Sequence, residues 1–140
     1  MELSPGRRAA IDTRLAVLRP KKVKLSEERD FINKRCDRLE EARAKLRLRI
    51  KNHREFQSRV WNSLNAIDVM WFRGQNRSQI DDGYQAMHDQ LLANRNRHQS
   101  NLSEIQSKMS TLTNQRTIVN QELTAATNEI ANLERELRGY

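Results

Sequence analysis

Proline and glycine are nearly missing from this chain of 140 residues, which has two prolines, at positions 5 and 20, and four glycines. The 120 residues after Pro20 hold no proline, and between Lys21 and Arg138 the only glycines are Gly74 and Gly83. Strands have to be joined by turns, and turns are built from Gly, Pro and Asn-Gly pairs. A β-sandwich, a barrel or an α/β enzyme is excluded on that ground. A single cysteine, Cys36, excludes an intrachain disulfide and a Cys-rich zinc module. Long apolar runs are missing too: the longest extends from Val69 to Phe72, so no segment reads as transmembrane, and the opening MELSPGRRAAIDTRL offers no Sec-type signal. With 36% apolar residues, 31% charged ones and a mean hydropathy of −0.91, the chain folds only if its few apolar residues are strictly placed.

They are. In the second half Ile105, Met109, Leu112, Arg116, Val119, Leu123, Ala126, Ile130, Leu133, Leu137 and Tyr140 recur in alternating steps of four and three, the spacing of a heptad seam. A weaker seam runs through the first half from Leu25 over Ile32, Cys36, Leu39, Leu46, Ile50, His53, Gln57 and Val60 to Trp71. The pattern predicts an all-α fold: a long antiparallel two-helix hairpin of coiled-coil type. Ser26, followed by Glu27 and Glu28, reads as an N-cap with first-turn carboxylates, which opens helix one and carries it over 26–72. Residues 73–78 form the turn at Gly74, and Ser78-x-x-Asp81 opens helix two over 79–138, with Gly139 suited to its C-cap. Residues 1–25 then make a short amphipathic segment, carrying Ile11, Leu15 and Leu18, that Pro20 sets apart and that folds along the end of helix two.

A fold-back at the turn pairs residues whose numbers have a constant sum. A sum of 151 sets Val60 against Leu91, Leu46 against Ile105, Leu39 against Leu112, Ile32 against Val119, Leu25 against Ala126, Leu18 against Leu133 and Ile11 against Tyr140. It also sets His53 against His98 and Gln57 against Asn94, a polar layer within the seam. Such layers fix register in coiled coils. With no carboxylate or cysteine on either seam to complete a ligand set, the two histidines predict no metal site, and no cofactor is expected. Phe56, Trp61, Met70 and Leu92 lie beside the seam near the turn, widening the apolar stripe beyond what one hairpin needs. They predict either large side chains that shield the end of the two-helix core or a partner-binding flank, which a second helical hairpin, from another protein or a second copy, covers to give a four-helix bundle.

The net charge of +8 is uneven: residues 1–60 carry 18 Lys and Arg against 9 Asp and Glu, residues 61–140 carry 8 against 9. A basic patch of Arg43, Lys45, Arg47, Arg49, Lys51 and Arg54 concentrates it. These bases spread around the helix with no aromatic interleaved for base stacking, which points to a solvated face or an acidic protein surface rather than nucleic acid. No Gly-rich phosphate loop, Gly-x-Ser-x-Gly elbow or His-Glu-x-x-His helix occurs, so catalysis is not expected.

The stretch Met70-Trp71-Phe72-Arg73-Gly74-Gln75-Asn76-Arg77-Ser78-Gln79-Ile80 resembles the turn of the WXG family of helical hairpins exported by type VII secretion, and of their longer relatives found beside LXG-type toxins. Phe72-Arg73-Gly74, with Trp71 adjacent, occupies the aromatic-x-Gly motif, and Ser78 and Ile80 match its small and apolar positions. The resemblance implies a partner or targeting subunit that binds a helical domain of a secreted toxin. The family's export signal, a Tyr with an acid four residues later, has no counterpart up to Tyr140. That implies a cytoplasmic protein exported, if at all, on its partner's signal. The size, basic charge and predicted hairpin are also similar to the coiled-coil central stalk of flagellar and type III export ATPases, and a general helical chaperone or scaffold is a third reading.

Overall fold

The computed structural model describes residues 2–66 and 75–139. The fold is all-α: two helices, α1 (Pro5–Ala66) and α2 (Gln75–Leu137), packed against each other as a hairpin. Both helices run through two compact units. Unit 1 comprises Met1–Arg38 with Met109–Tyr140, and unit 2 comprises Leu39–Lys108.

α1 starts where local chemistry favours it. Ser4 Oγ accepts a hydrogen bond from the Arg7 backbone N–H at 3.2 Å, and Pro5 occupies the first helical position, where a missing N–H costs nothing. This corrects the expected start at Ser26. That serine lies half-buried within α1, and residues 5–25 are the beginning of the same helix rather than a separate segment. Pro20 sits in the helix interior, where it removes one intrahelical hydrogen bond and presses on the carbonyl of Ala16, a penalty of about 3 kcal/mol. Burial offsets it: Ile11, Leu15 and Leu18, at 0%, 2% and 1% exposure, pack with Ala126 and Ile130, flanked by Leu3, Leu133 and Leu137. Those three α1 positions keep the four-three spacing that continues to Leu25, so breaking the helix at Pro20 would take the apolar face out of register.

α2 begins at Gln75, ahead of the expected capping box, so Ser78 and Asp81 lie within the helix. Gln75, Asn76 and Arg77 contain no helix breaker, and the helix extends through them. At its other end Gly139 takes the left-handed conformation (φ 72°), as a C-terminal cap requires, and its N–H donates to the Glu136 carbonyl at 3.2 Å.

In unit 1 the cross-helix contacts descend along α2 as they ascend along α1: Arg7 meets Glu136 and Arg14 meets Glu129, so the helices are antiparallel. Both arginines make two-pronged contacts, at 2.8 and 2.8 Å for Arg7 and at 2.7 and 3.1 Å for Arg14. Arg19 adds a contact to Glu134 at 3.2 Å on the opposite edge of the seam. Positions 7, 14, 129 and 136 directly precede one apolar row of the heptads, and 19 and 134 directly follow the other. Antiparallel coiled coils pair like with like at these flanking positions, so the charges specify the direction of the helices. Arg116, a charged residue on α2's seam in this unit, donates from Nη1 to Asn33 Oδ1 at 3.3 Å.

Unit 2 is also antiparallel, with His53 against His98 and Trp61 against Tyr84. Its interior is thinner. Of the buried hydrophobic residues described, Ile50 alone belongs to it; Leu46, Val60, Leu91, Leu102 and Ile105 are half-exposed.

Candidate functional site

A helix pair can bury one stripe per helix, so the residues flanking the stripe decide what else it binds. On α1 in unit 2, Arg47, Arg54 and Trp61 recur every seven residues and share one flank, while Arg49 and Phe56 share the other. Trp61 is 50% exposed and Phe56 45%. The Trp61 ring lies 5.1 Å from the Tyr84 ring at an interplanar angle of 45°, and Tyr84 in turn is 6.2 Å from His88. Together with Gln57, Ser58, Gln85 and His88 these two aromatics line an open groove between α1 and α2. Leu92, seven residues beyond Gln85, is half-buried on the same flank. Unit 1 also exposes apolar side chains, Val17, Val23, Phe31 and Ile118; Val23 lines an open groove with Ile130 that is edged by charged residues, Arg19, Lys22, Glu27, Asp30 and Glu134, and the Arg35 guanidinium lies over the Phe31 ring at 5.8 Å from its centre.

The basic patch divides in two. Arg43 pairs with Glu40 at 2.7 Å, Lys45 with Glu41 at 3.3 Å and Lys51 with Glu55 at 3.9 Å, all along α1 itself. Among the described residues, Arg47, Arg49 and Arg54 have no carboxylate within ion-pairing distance. The reason lies on α2. Where unit 1 presents Glu129, Glu134 and Glu136 on its flanks, α2 in unit 2 carries Gln85, Leu92, Gln99 and Gln106 on the flank that matches Arg47 and Arg54, and Met87, Asn94 and Asn101 on the one that matches Arg49.

The polar layer comes together at its histidines. The rings of His53 and His98 are 5.4 Å apart, and both Nδ1 atoms are buried without a hydrogen-bond partner in the protein. Burial first, then the neighbouring His53, Arg49 and Arg97, hold the His98 imidazole below its ordinary pKa and favour its neutral form. Gln57, expected opposite Asn94, accepts a hydrogen bond at Oε1 from Arg95 Nη1 at 3.4 Å. Among the described residues no three His, Cys, Asp or Glu side chains converge as metal ligands, and no described helix is long and apolar enough to cross a membrane.

Met70, Trp71, Phe72 and Gly74 lie outside the described residues. Tyr84 and Arg95 belong to this flank and layer but escape a reading for flanking apolar residues. Both continue the heptad rows of α2's seam upstream, Tyr84 four heptads before Leu112 and Arg95 two before Met109, and that spacing is the signal that finds them. Compared with protein-family models, with curated proteins and with solved structures, the chain has no significant match.

Proposed function

We propose that the protein is a non-catalytic helical partner whose unit 2 pairs with a helical segment of another protein, the two together forming a four-helix arrangement. One observation carries this reading. Unit 1 buries its own apolar stripe, whereas unit 2 has a half-exposed seam flanked by Phe56 and Trp61 and a groove beside Trp61. Aromatic side chains exposed next to an incomplete core are what a helix-in-groove interface uses as anchors. The turn's resemblance to WXG-type hairpins extends the proposal. The partner is then a helical domain of a secreted toxin or substrate, met in the cytoplasm, and this protein delivers or stabilises it for type VII-like secretion.

The stalk of an export ATPase is the second reading, favoured by the net charge of +9 over residues 1–60. A stalk would engage its ring through the terminal end. There Arg7, Arg14 and Arg19 are already engaged by Glu136, Glu129 and Glu134, which supports the first reading. Co-purification of the tagged full chain from its source, analysed by size exclusion, separates the two. Changing Phe56 and Trp61 to Gln should abolish the complex, and changing Arg7 and Arg14 to Gln should leave it intact. The reverse result would replace the secretion partner by the stalk.

A further inference from the structure

The unpaired cations and the exposed Trp61 of unit 2 share one flank of α1. Arg47, Arg54 and Trp61 are spaced by seven residues, ~10 Å along the helix per step. On the same flank in unit 1 the arginine has its carboxylate built in: Arg19 meets Glu134 across the seam. In unit 2 α2 answers with glutamines, and its nearby acids are used elsewhere, Asp89 beside Gln85 and His88 and Glu104 with Lys108. Two cations therefore stand in line with an aromatic groove and lack the anions that their counterpart in unit 1 has.

From this we infer that the flank formed by Arg47, Arg54 and Trp61, with the Trp61–Tyr84 groove, docks an acidic amphipathic helix of another protein. Its apolar residue enters the groove, and its carboxylates lie one and two heptads away, opposite Arg54 and Arg47. The inference rests on the helical-partner reading above and adds the chemistry of the partner. A second copy of this chain fits poorly. Residues 43–59 hold seven bases and one acid, and the whole chain carries +8, so like charges would meet. A nucleic acid would satisfy the arginines, but its anionic backbone makes no use of an apolar groove, and a single tryptophan provides one stacking platform rather than a series.

The test uses the full chain and three synthetic four-heptad helices with an identical leucine seam, whose flanking positions are all Glu, all Gln or all Lys. A DNA oligonucleotide serves as a fourth probe, and binding is measured by fluorescence anisotropy at physiological salt. The Glu helix should bind best, about tenfold more tightly than the Gln helix. Arg47→Gln with Arg54→Gln should remove that difference while leaving the circular dichroism of the chain unchanged. Equal binding of the Glu and Gln helices, dependent on Trp61, would overturn the acidic partner and leave a helical partner standing. Failure of all three helices to bind would overturn both. Tighter, Arg47- and Arg54-dependent binding of the oligonucleotide would replace the acidic helix by nucleic acid, and self-association lost on Trp61→Gln would replace it by a second copy.

Discussion

His53 and His98 face each other across α1 and α2 of unit 2 with ring centres 5.4 Å apart, each hiding its Nδ1 from solvent and from every protein acceptor. Burial disfavours the charged imidazole of His98, and a proton there would also sit beside the facing His53, Arg49 from α1 and Arg97 from α2, which is why its folded-state pKa lies below the ordinary 6.5. The unfolded chain then binds protons at a higher pH than the folded one. Stability should be level above pH ~7.5 and decline as pH falls from about 6.5 through the lower folded value. Urea melts at pH 8, 7, 6 and 5 should show this decline, and His98→Gln should flatten it. A second, separate loss belongs to more acid conditions. The hydrogen bonds from Arg14 and Arg7 hold Glu129 and Glu136 below the usual carboxylate range, so their stabilising contribution is present above about pH 4.5 and vanishes as pH falls through their lowered values. An identical pH dependence in His98→Gln would contradict the assignment of the first decline.

Pro20 stands inside an unbroken α1. Pro20→Ala restores an N–H and removes a ring clash, a gain of about 3 kcal/mol, less about 1 kcal/mol for the extra freedom of the unfolded chain. Thermal or urea unfolding should show a net gain of about 2 kcal/mol. A neutral or destabilising result would mean that the helix breaks at this residue.

The heptad seams carried the fold class, the antiparallel pairing of His53 with His98 and the places of Phe56 and Trp61 beside the seam, because each depends on spacing alone; the expectation that these two aromatics share one flank did not allow for their falling on opposite sides of the seam. The helix start was misread. Ser26-Glu27-Glu28 has the composition of a cap, and Pro20 that of a break, yet both are overruled by tertiary burial of Ile11, Leu15 and Leu18. The real cap, Ser4 before Pro5, was present in the sequence as plainly as the false one. The flanking ion pairs needed the register first, since Arg14 and Glu129 are 115 residues apart and only antiparallel packing brings them together.

Core substitutions should report the asymmetry between the units. Leu18 is 1% exposed, whereas Leu46 occupies a half-exposed seam position. Leu18→Ala should cost about 3 kcal/mol and Leu46→Ala about 1 kcal/mol, measured by chemical denaturation. Equal losses would show that unit 2 has a core as tight as that of unit 1.

Gly83 lies inside α2 with helical backbone, and a Cβ added there meets no atom within 4 Å. Gly83→Ala should stabilise the chain by about 1 kcal/mol and leave partner binding intact. A destabilising outcome would mean that this position needs glycine's freedom or a close approach by a partner.

Hydrogen exchange of the isolated chain, followed by mass spectrometry, tests most directly the claim that unit 1 is complete in itself and unit 2 awaits a partner. Amides of 11–36 and 112–130 should exchange on the order of tenfold or more slowly than those of 43–60 and 80–105, and adding the Glu-flanked helix should slow the second group alone. Uniform protection along both helices, unchanged by that helix, would contradict the account.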